Sequence, residues 1–134
     1  MRKYRNKKVT VDGITYDSEK EYYRWLTLCQ MQNKGIITDL ERQVKYELIP
    51  AQYRTVETGE RYKKSNPSRG IRAGDPKTKK VCIEQSCNYI ADFVYKHDGR
   101  RVVEDTKSKA TKTKEYIIKR KLMQFLFGIK IREV

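Results

Sequence analysis

The stretch YIADFVYKHDGRRVVEDTKS, from Tyr89 to Ser108, constrains this chain more than any other segment. Two apolar runs flank Asp98-Gly99, a dipeptide suited to the tight turn of a β-hairpin, where the central residues take positive φ. Closing the turn there pairs His97 with Arg100, Tyr95 with Val102, Phe93 with Glu104 and Asp92 with Asp105. A four-residue loop with the same centre gives the same register. Directly opposed residues have Cβ atoms about 5 Å apart, and opposed like charges destabilise a strand pair. Alternation puts Ile90, Asp92, Val103, Asp105 and Lys107 on one face and Glu104 on the other.

Two carboxylates so placed need compensation. The Lys107 ammonium is one source. A shared proton, which raises one pKa, is another. A divalent cation held by both is the third, and oxygen ligands favour Mg²⁺ or Mn²⁺ over zinc. Composition bears on the choice. The 134 residues hold 31 Lys and Arg against 17 Asp and Glu, a formal charge of +14. Such an excess points to a polyanionic partner, nucleic acid first and an anionic membrane surface second. The membrane reading is weak, because no apolar run approaches the roughly 18 residues of a spanning helix. A carboxylate pair, an ammonium and a basic protein together point to phosphodiester chemistry, in which a metal activates water and Lys107 orients it or offsets transition-state charge.

The rest of the chain reads as one domain. MRKYRNKKVT opens a basic arm, residues 1–12, with no apolar segment behind it that would make a secretory signal. Asp17 or Ser18 can cap a first helix, and Ser18 with Glu21 has capping-box spacing. Tyr22, Trp25, Leu26 and Cys29 recur at helical spacing, and Gly35 supplies the stop. In LERQVKYELIP the period becomes two: Leu40, Val44, Tyr46 and Leu48 share a face, Gln43, Lys45 and Glu47 lie opposite, and Pro50 ends the strand. Residues 51–80 carry nine Lys or Arg and three acids, and read as a mobile basic loop or insertion, or a hairpin. TKEYIIKRKLMQFLFG is a second helix with Ile118, Leu122 and Phe125 as its apolar stripe. IKIREV is a last strand. The expected class is α/β, a mixed sheet flanked by helices. The three cysteines have no paired spacing, which argues against zinc and for a reduced, cytoplasmic protein.

Asp92, followed by Asp105-Thr106-Lys107 after the apolar RVV, resembles the signature of the PD-(D/E)XK nuclease superfamily. YDSEKE, opening the first helix, resembles that superfamily's helical acid, on Glu21. YIADFVY, VVEDTKS and KRKL are most similar to small phage-encoded endonucleases related to Holliday-junction resolvases. The chain departs from the pattern at Ala91, where the motif has proline. The resemblance implies a restriction-endonuclease-like αβββαβ core and a Mg²⁺-dependent DNA endonuclease, with Mn²⁺ as substitute. It implies Asp92, Asp105 and Glu21 as metal ligands, the Thr106 backbone carbonyl as a further one, and Lys107 as the catalytic cation. DNA is the implied partner, with a homodimer if junctions are cut symmetrically, and the host cytoplasm the location if the protein is phage-encoded. Lys109, Lys112, Lys114, Lys119 and Arg120 after the triplet, and Lys63, Lys64, Arg69 and Arg72 in the basic insertion, are the expected phosphate contacts.

Each residue also has a structural explanation. Asp92 and Asp105 could be edge charges that deter aggregation. Glu21 could simply close the capping box, and Gln43, which resembles a recurring glutamine of the superfamily, could be an exposed strand residue. Glu104 ranks second as a ligand because it faces away from Lys107. His97 belongs to the turn. The competing function is a non-catalytic nucleic-acid-binding protein that keeps the fold.

Overall fold

The computed structural model describes residues 7–134. The expected arm thus lies partly outside the described residues. Its described part enters a short hairpin, β1 (Val9–Val11) with β2 (Ile14–Tyr16), turned at Asp12-Gly13. Then follow α1 (Glu19–Asn33), β3 (Thr38–Ile49), β4 (Gln52–Arg61), β5 (Pro76–Glu84), β6 (Cys87–His97), β7 (Arg100–Asp105), α2 (Lys114–Phe127) and β8 (Arg132–Glu133). The main sheet has the order β3-β6-β7-β8, with β6–β7 antiparallel and β7–β8 parallel. The class is therefore α/β with a mixed sheet and two helices.

The chain forms two compact units, one of them Ile49–Cys87 and the other the rest. The expected insertion, 51–80, falls within the first of them. Segment 51–80 is not a loop: β4 and β5 pair antiparallel from Gln52 opposite Glu84 to Arg61 opposite Pro76. Its strands escape sequence reading because Thr, Lys and Arg fill both faces, so no apolar alternation marks them.

The β6–β7 hairpin has the expected register, His97 with Arg100 through Phe93 with Glu104. Phe93 and Tyr95 form a buried cluster with Leu28 of α1 and Ile37, and Trp25, Met31, Leu40 and Val102 pack against it. β3 keeps the expected alternation, with Leu48 buried and Leu40, Val44 and Tyr46 half-buried. Helix α1 buries the expected face only in part: Tyr22, Trp25 and Cys29 are half-buried, with Trp25 packed on the core. Leu26 is exposed, whereas Glu21 and Leu28, two turns apart, are buried. Glu104 is wholly buried and receives both Arg24 guanidinium nitrogens, Nε at 2.8 Å and Nη2 at 2.7 Å, with the Tyr95 hydroxyl as a further donor. The α1 face that looks polar thus docks as well, because its charges find partners inside. In α2 the buried residues are Tyr116 and Met123, while Ile118 and Phe125 of the expected apolar stripe face solvent.

Removing one partner of a buried ion pair strands the other, at a cost of about 3–5 kcal/mol. Arg24→Met is expected to lose roughly 3 kcal/mol of stability in urea unfolding, because Glu104 keeps only Tyr95. Arg24→Met/Glu104→Leu should recover most of that loss. A single mutant as stable as the parent would show that the pair does not anchor α1.

Candidate functional site

One cleft of about 500 Å³ is lined by Glu21, Asp92, Asp105, Thr106 and Lys107, together with Lys8, Asp17 and Ser18. A second cavity shares Asp92, Asp105 and Lys107 and adds Gln43, Tyr89 and Tyr116. The four residues singled out for catalysis therefore meet in one place. The hairpin delivers two of them: its ladder ends at Phe93 paired with Glu104, and Asp92 and Asp105 follow just beyond it, with their carboxyls close enough to interact.

Asp105 is 3% exposed. Burial first, and the Asp92 carboxyl second, push its carboxyl up to about 7, against the opposing pull of Tyr89 and Lys107. The Tyr89 hydroxyl donates to Asp105 Oδ2 at 2.7 Å, and Lys107 Nζ lies 3.6 Å from Oδ1. Lys107 also stacks over the Tyr116 ring, 4.5 Å from its centroid. Asp92 Oδ2 accepts the Thr106 N–H at 2.8 Å, which ties the first carboxylate to the backbone of the triplet. That backbone is braced in turn. The Val134 N–H donates to the Asp105 carbonyl and the Lys107 N–H to the Val134 carbonyl, both at 3.0 Å.

Glu21 is both a cap and a member of the cleft. Its own N–H donates to Ser18 Oγ at 3.2 Å, the first half of a capping box. Its carboxylate takes the Asp17 N–H rather than that of Ser18, through Oε2 at 3.1 Å. Oε1 accepts Gln43 Nε2 at 3.1 Å, and Arg42 Nη2 is 3.7 Å away. Burial, then Asp92, raises the Glu21 pKa. Gln43 therefore belongs to the cleft and is not an idle strand residue. Its φ of 52° is left-handed, a conformation that costs a non-glycine residue about 1–2 kcal/mol. Sequence alternation gives no sign of such a kink. Tyr89 is a residue the sequence did not single out. A tyrosine in an apolar strand carries no functional signal, and only the hydroxyl contact reveals its part.

Carboxylate oxygens are the donors that hard cations take. Four acidic side chains, Asp17, Glu21, Asp92 and Asp105, line the cleft, and the carboxyls of Asp92 and Asp105 are close enough to interact. Among the described residues no three His, Cys, Asp or Glu side chains form a ready-made cage. Mg²⁺ does not require one, since it keeps several waters and takes one or two carboxylates.

The amino-acid pattern over nearly the whole chain, residues 1–133, matches one family. The chain belongs to the DUF1064 family. Its description is "Protein of unknown function". Neither the curated proteins nor the solved structures compared with the chain gave a match.

The basic residues of this DUF1064 protein divide into two groups. Lys112 Nζ and Arg120 Nη1 sit 2.5 and 2.8 Å from Glu133, and Lys119 pairs with Glu115 at 3.0 Å. These three expected phosphate contacts are occupied within the fold. Lys63, Lys64, Arg69, Arg72, Lys109 and Lys114 are exposed, with no ion pair among the described residues. Glu104, the second-ranked ligand, is bound to Arg24 instead. Among the described residues no helix is long and apolar enough to cross a membrane.

The hydrogen bonds from Lys112 and Arg120 hold Glu133 well below its ordinary 4.5, at about 2. A carboxylate depressed in the folded state stabilises the fold at pH above its unfolded value. That contribution fades as pH falls from about 4.5 to about 2. The stability gap between the parent and Glu133→Gln should be constant above pH 5 and shrink across that window. A gap independent of pH in acid titration of chemical unfolding would contradict this.

Proposed function

We propose that this protein is a metal-dependent DNA endonuclease with a restriction-endonuclease-like αβββαβ core. One observation carries the reading: Asp92, Asp105 and Lys107 share a cleft in which the two carboxyls are close enough to interact and the ammonium lies 3.6 Å from one of them. The chain order α1, β3, β6, β7, α2, β8 supports it, once the β1–β2 and β4–β5 hairpins are set aside. So does the net charge of +14, which suits a phosphate backbone.

In this reading Asp92 and Asp105 present the oxygens that hold Mg²⁺ or Mn²⁺, with the Thr106 carbonyl and Glu21 as further donors. The bound cation supplies a Lewis acid for the phosphoryl oxygen and a more acidic water. The Lys107 ammonium orients the attacking water and offsets charge on the pentacoordinate phosphorus. The Tyr89 hydroxyl fixes Asp105 by donating to Oδ2, which leaves Oδ1 turned toward Lys107. Gln43 does the same for Glu21 from the β3 side. Symmetric cutting of branched DNA would require two such clefts, hence a dimer.

Nicking of supercoiled plasmid with Mg²⁺, Mn²⁺ or EDTA tests the chemistry. Lys107→Ala and Asp105→Asn should each lose about 10²-fold or more in single-turnover cleavage, the scale of removing one transition-state stabiliser. Glu47→Gln, on the exposed face of β3, should cut normally. DNA affinity in EDTA should change little for Lys107→Ala, one cation among many. Binding without cleavage under every metal would favour the non-catalytic alternative.

Metal binding is read separately. A cation that relieves the carboxylate pair binds the folded state alone and raises Tm by mass action. Mg²⁺ or Mn²⁺ should raise the Tm of the parent and leave that of Asp92→Asn/Asp105→Asn unchanged. Equal shifts in both proteins would remove the metal from this cleft.

A further inference from the structure

We infer that the β4–β5 ribbon is an arm that enters the major groove of duplex DNA. The inference rests on the nuclease reading for its choice of DNA among polyanions, and is otherwise argued from the ribbon alone.

Residues Ile49–Cys87 form a compact unit of their own, yet between residues 50 and 84 not one is buried. A two-stranded hairpin without a core is marginal in water. This one is held in shape at its far end by backbone bonds. The Tyr62 N–H donates to the Asp75 carbonyl at 2.9 Å, and the Gly74 N–H to the Tyr62 carbonyl at 2.7 Å. Asn66 and Ile71 bridge the tip, and Arg61 Nη1 donates to the Gly74 carbonyl at 2.7 Å. Asp75, the only acid between residues 61 and 75, spends its carboxylate on the Arg72 N–H. Lys63, Lys64, Arg69 and Arg72 are left exposed on a shaped tip, with no ion pair among the described residues.

Shape selects the partner. Ten residues of strand at about 3.3 Å each give an arm about 30 Å long, whose two strands lie about 4.8 Å apart. A two-stranded ribbon fits the B-DNA major groove, about 12 Å wide, and not the minor groove of about 6 Å. The major groove of A-form RNA is too deep and narrow to admit it. A membrane would call for apolar groups at the tip. The exposed ones of this unit, Ile49, Tyr53 and Ile83, lie at its base.

The test uses the full-length protein in EDTA, so that binding is read without cleavage. The probes are a labelled 25-base-pair DNA duplex, the RNA duplex of the same sequence, and phosphatidylserine vesicles. The tip variant carries Lys63→Gln, Lys64→Gln, Arg69→Gln and Arg72→Gln. A charge-matched control carries Lys34→Gln, Lys45→Gln, Arg100→Gln and Lys130→Gln, all exposed positions outside the ribbon. Both should keep the parent's circular dichroism and Tm. The tip variant should lose about 100-fold in DNA affinity at 150 mM salt, and its log–log salt slope should fall by about 3.6, near 0.9 for each of the four phosphate contacts removed. The control should lose only a few-fold. Methyl green, which occupies the major groove, should displace the parent, and netropsin, which occupies the minor groove, should not. Equal losses in the two variants, displacement by netropsin, or RNA or vesicle binding as tight as DNA binding would each overturn the inference. A parent that binds duplex through the tip but never cuts with metal would overturn the nuclease reading alone.

Discussion

Helix α1 hangs on an ion pair between half-buried Arg24 and fully buried Glu104. Glu104 has no water to solvate it, so the two guanidinium bonds and the Tyr95 hydroxyl must do so. The consequence reaches the cleft because both partners sit beside it in sequence. Glu21 is one helical turn before Arg24, and Asp105 is the next residue after Glu104. A fork-to-fork pair tolerates little sliding. It therefore fixes the height of α1 along β7, and with it the distance between the helical acid and the strand acid. Leu28 packing on Phe93 and Tyr95 would by itself permit more play.

The hairpin was legible because two independent signals agree there. Alternating apolar residues set the faces, and Asp98-Gly99 sets the turn, so the pairs from His97–Arg100 to Phe93–Glu104 followed. The α1 face was legible only in part, because the docking of Glu21 and Arg24 depends on partners 22 and 80 residues away respectively. The same reason hid Gln43, whose left-handed backbone turns its amide toward Glu21. In α2 the pattern misled in the opposite direction: Ile118, Leu122 and Phe125 have the spacing of a core stripe, but Tyr116 and Met123 are what the fold buries. Strands β4 and β5 carry no apolar code, and what defines them is mainly their backbone ladder.

Electrostatics divides this protein sharply. A cleft holding Glu21, Asp92 and Asp105 sits in a chain of charge +14. Part of the positive charge is consumed internally, on Glu133, Glu115 and Glu104. The remainder stays on exposed side chains, where it is screened by salt over about 8–10 Å. Attraction of a polyanion would therefore be long-ranged but salt-sensitive, whereas the carboxylates act only at contact.

The brace on the Asp105–Lys107 backbone has a bearing on synthesis. Val134 supplies both the N–H that Asp105 bonds and the carbonyl that Lys107 bonds. A chain emerging from the ribosome presents Glu21, Asp92 and Asp105 well before β8 leaves the exit tunnel. Until then the Asp105 carbonyl and the Lys107 N–H lack the partners that β8 gives them.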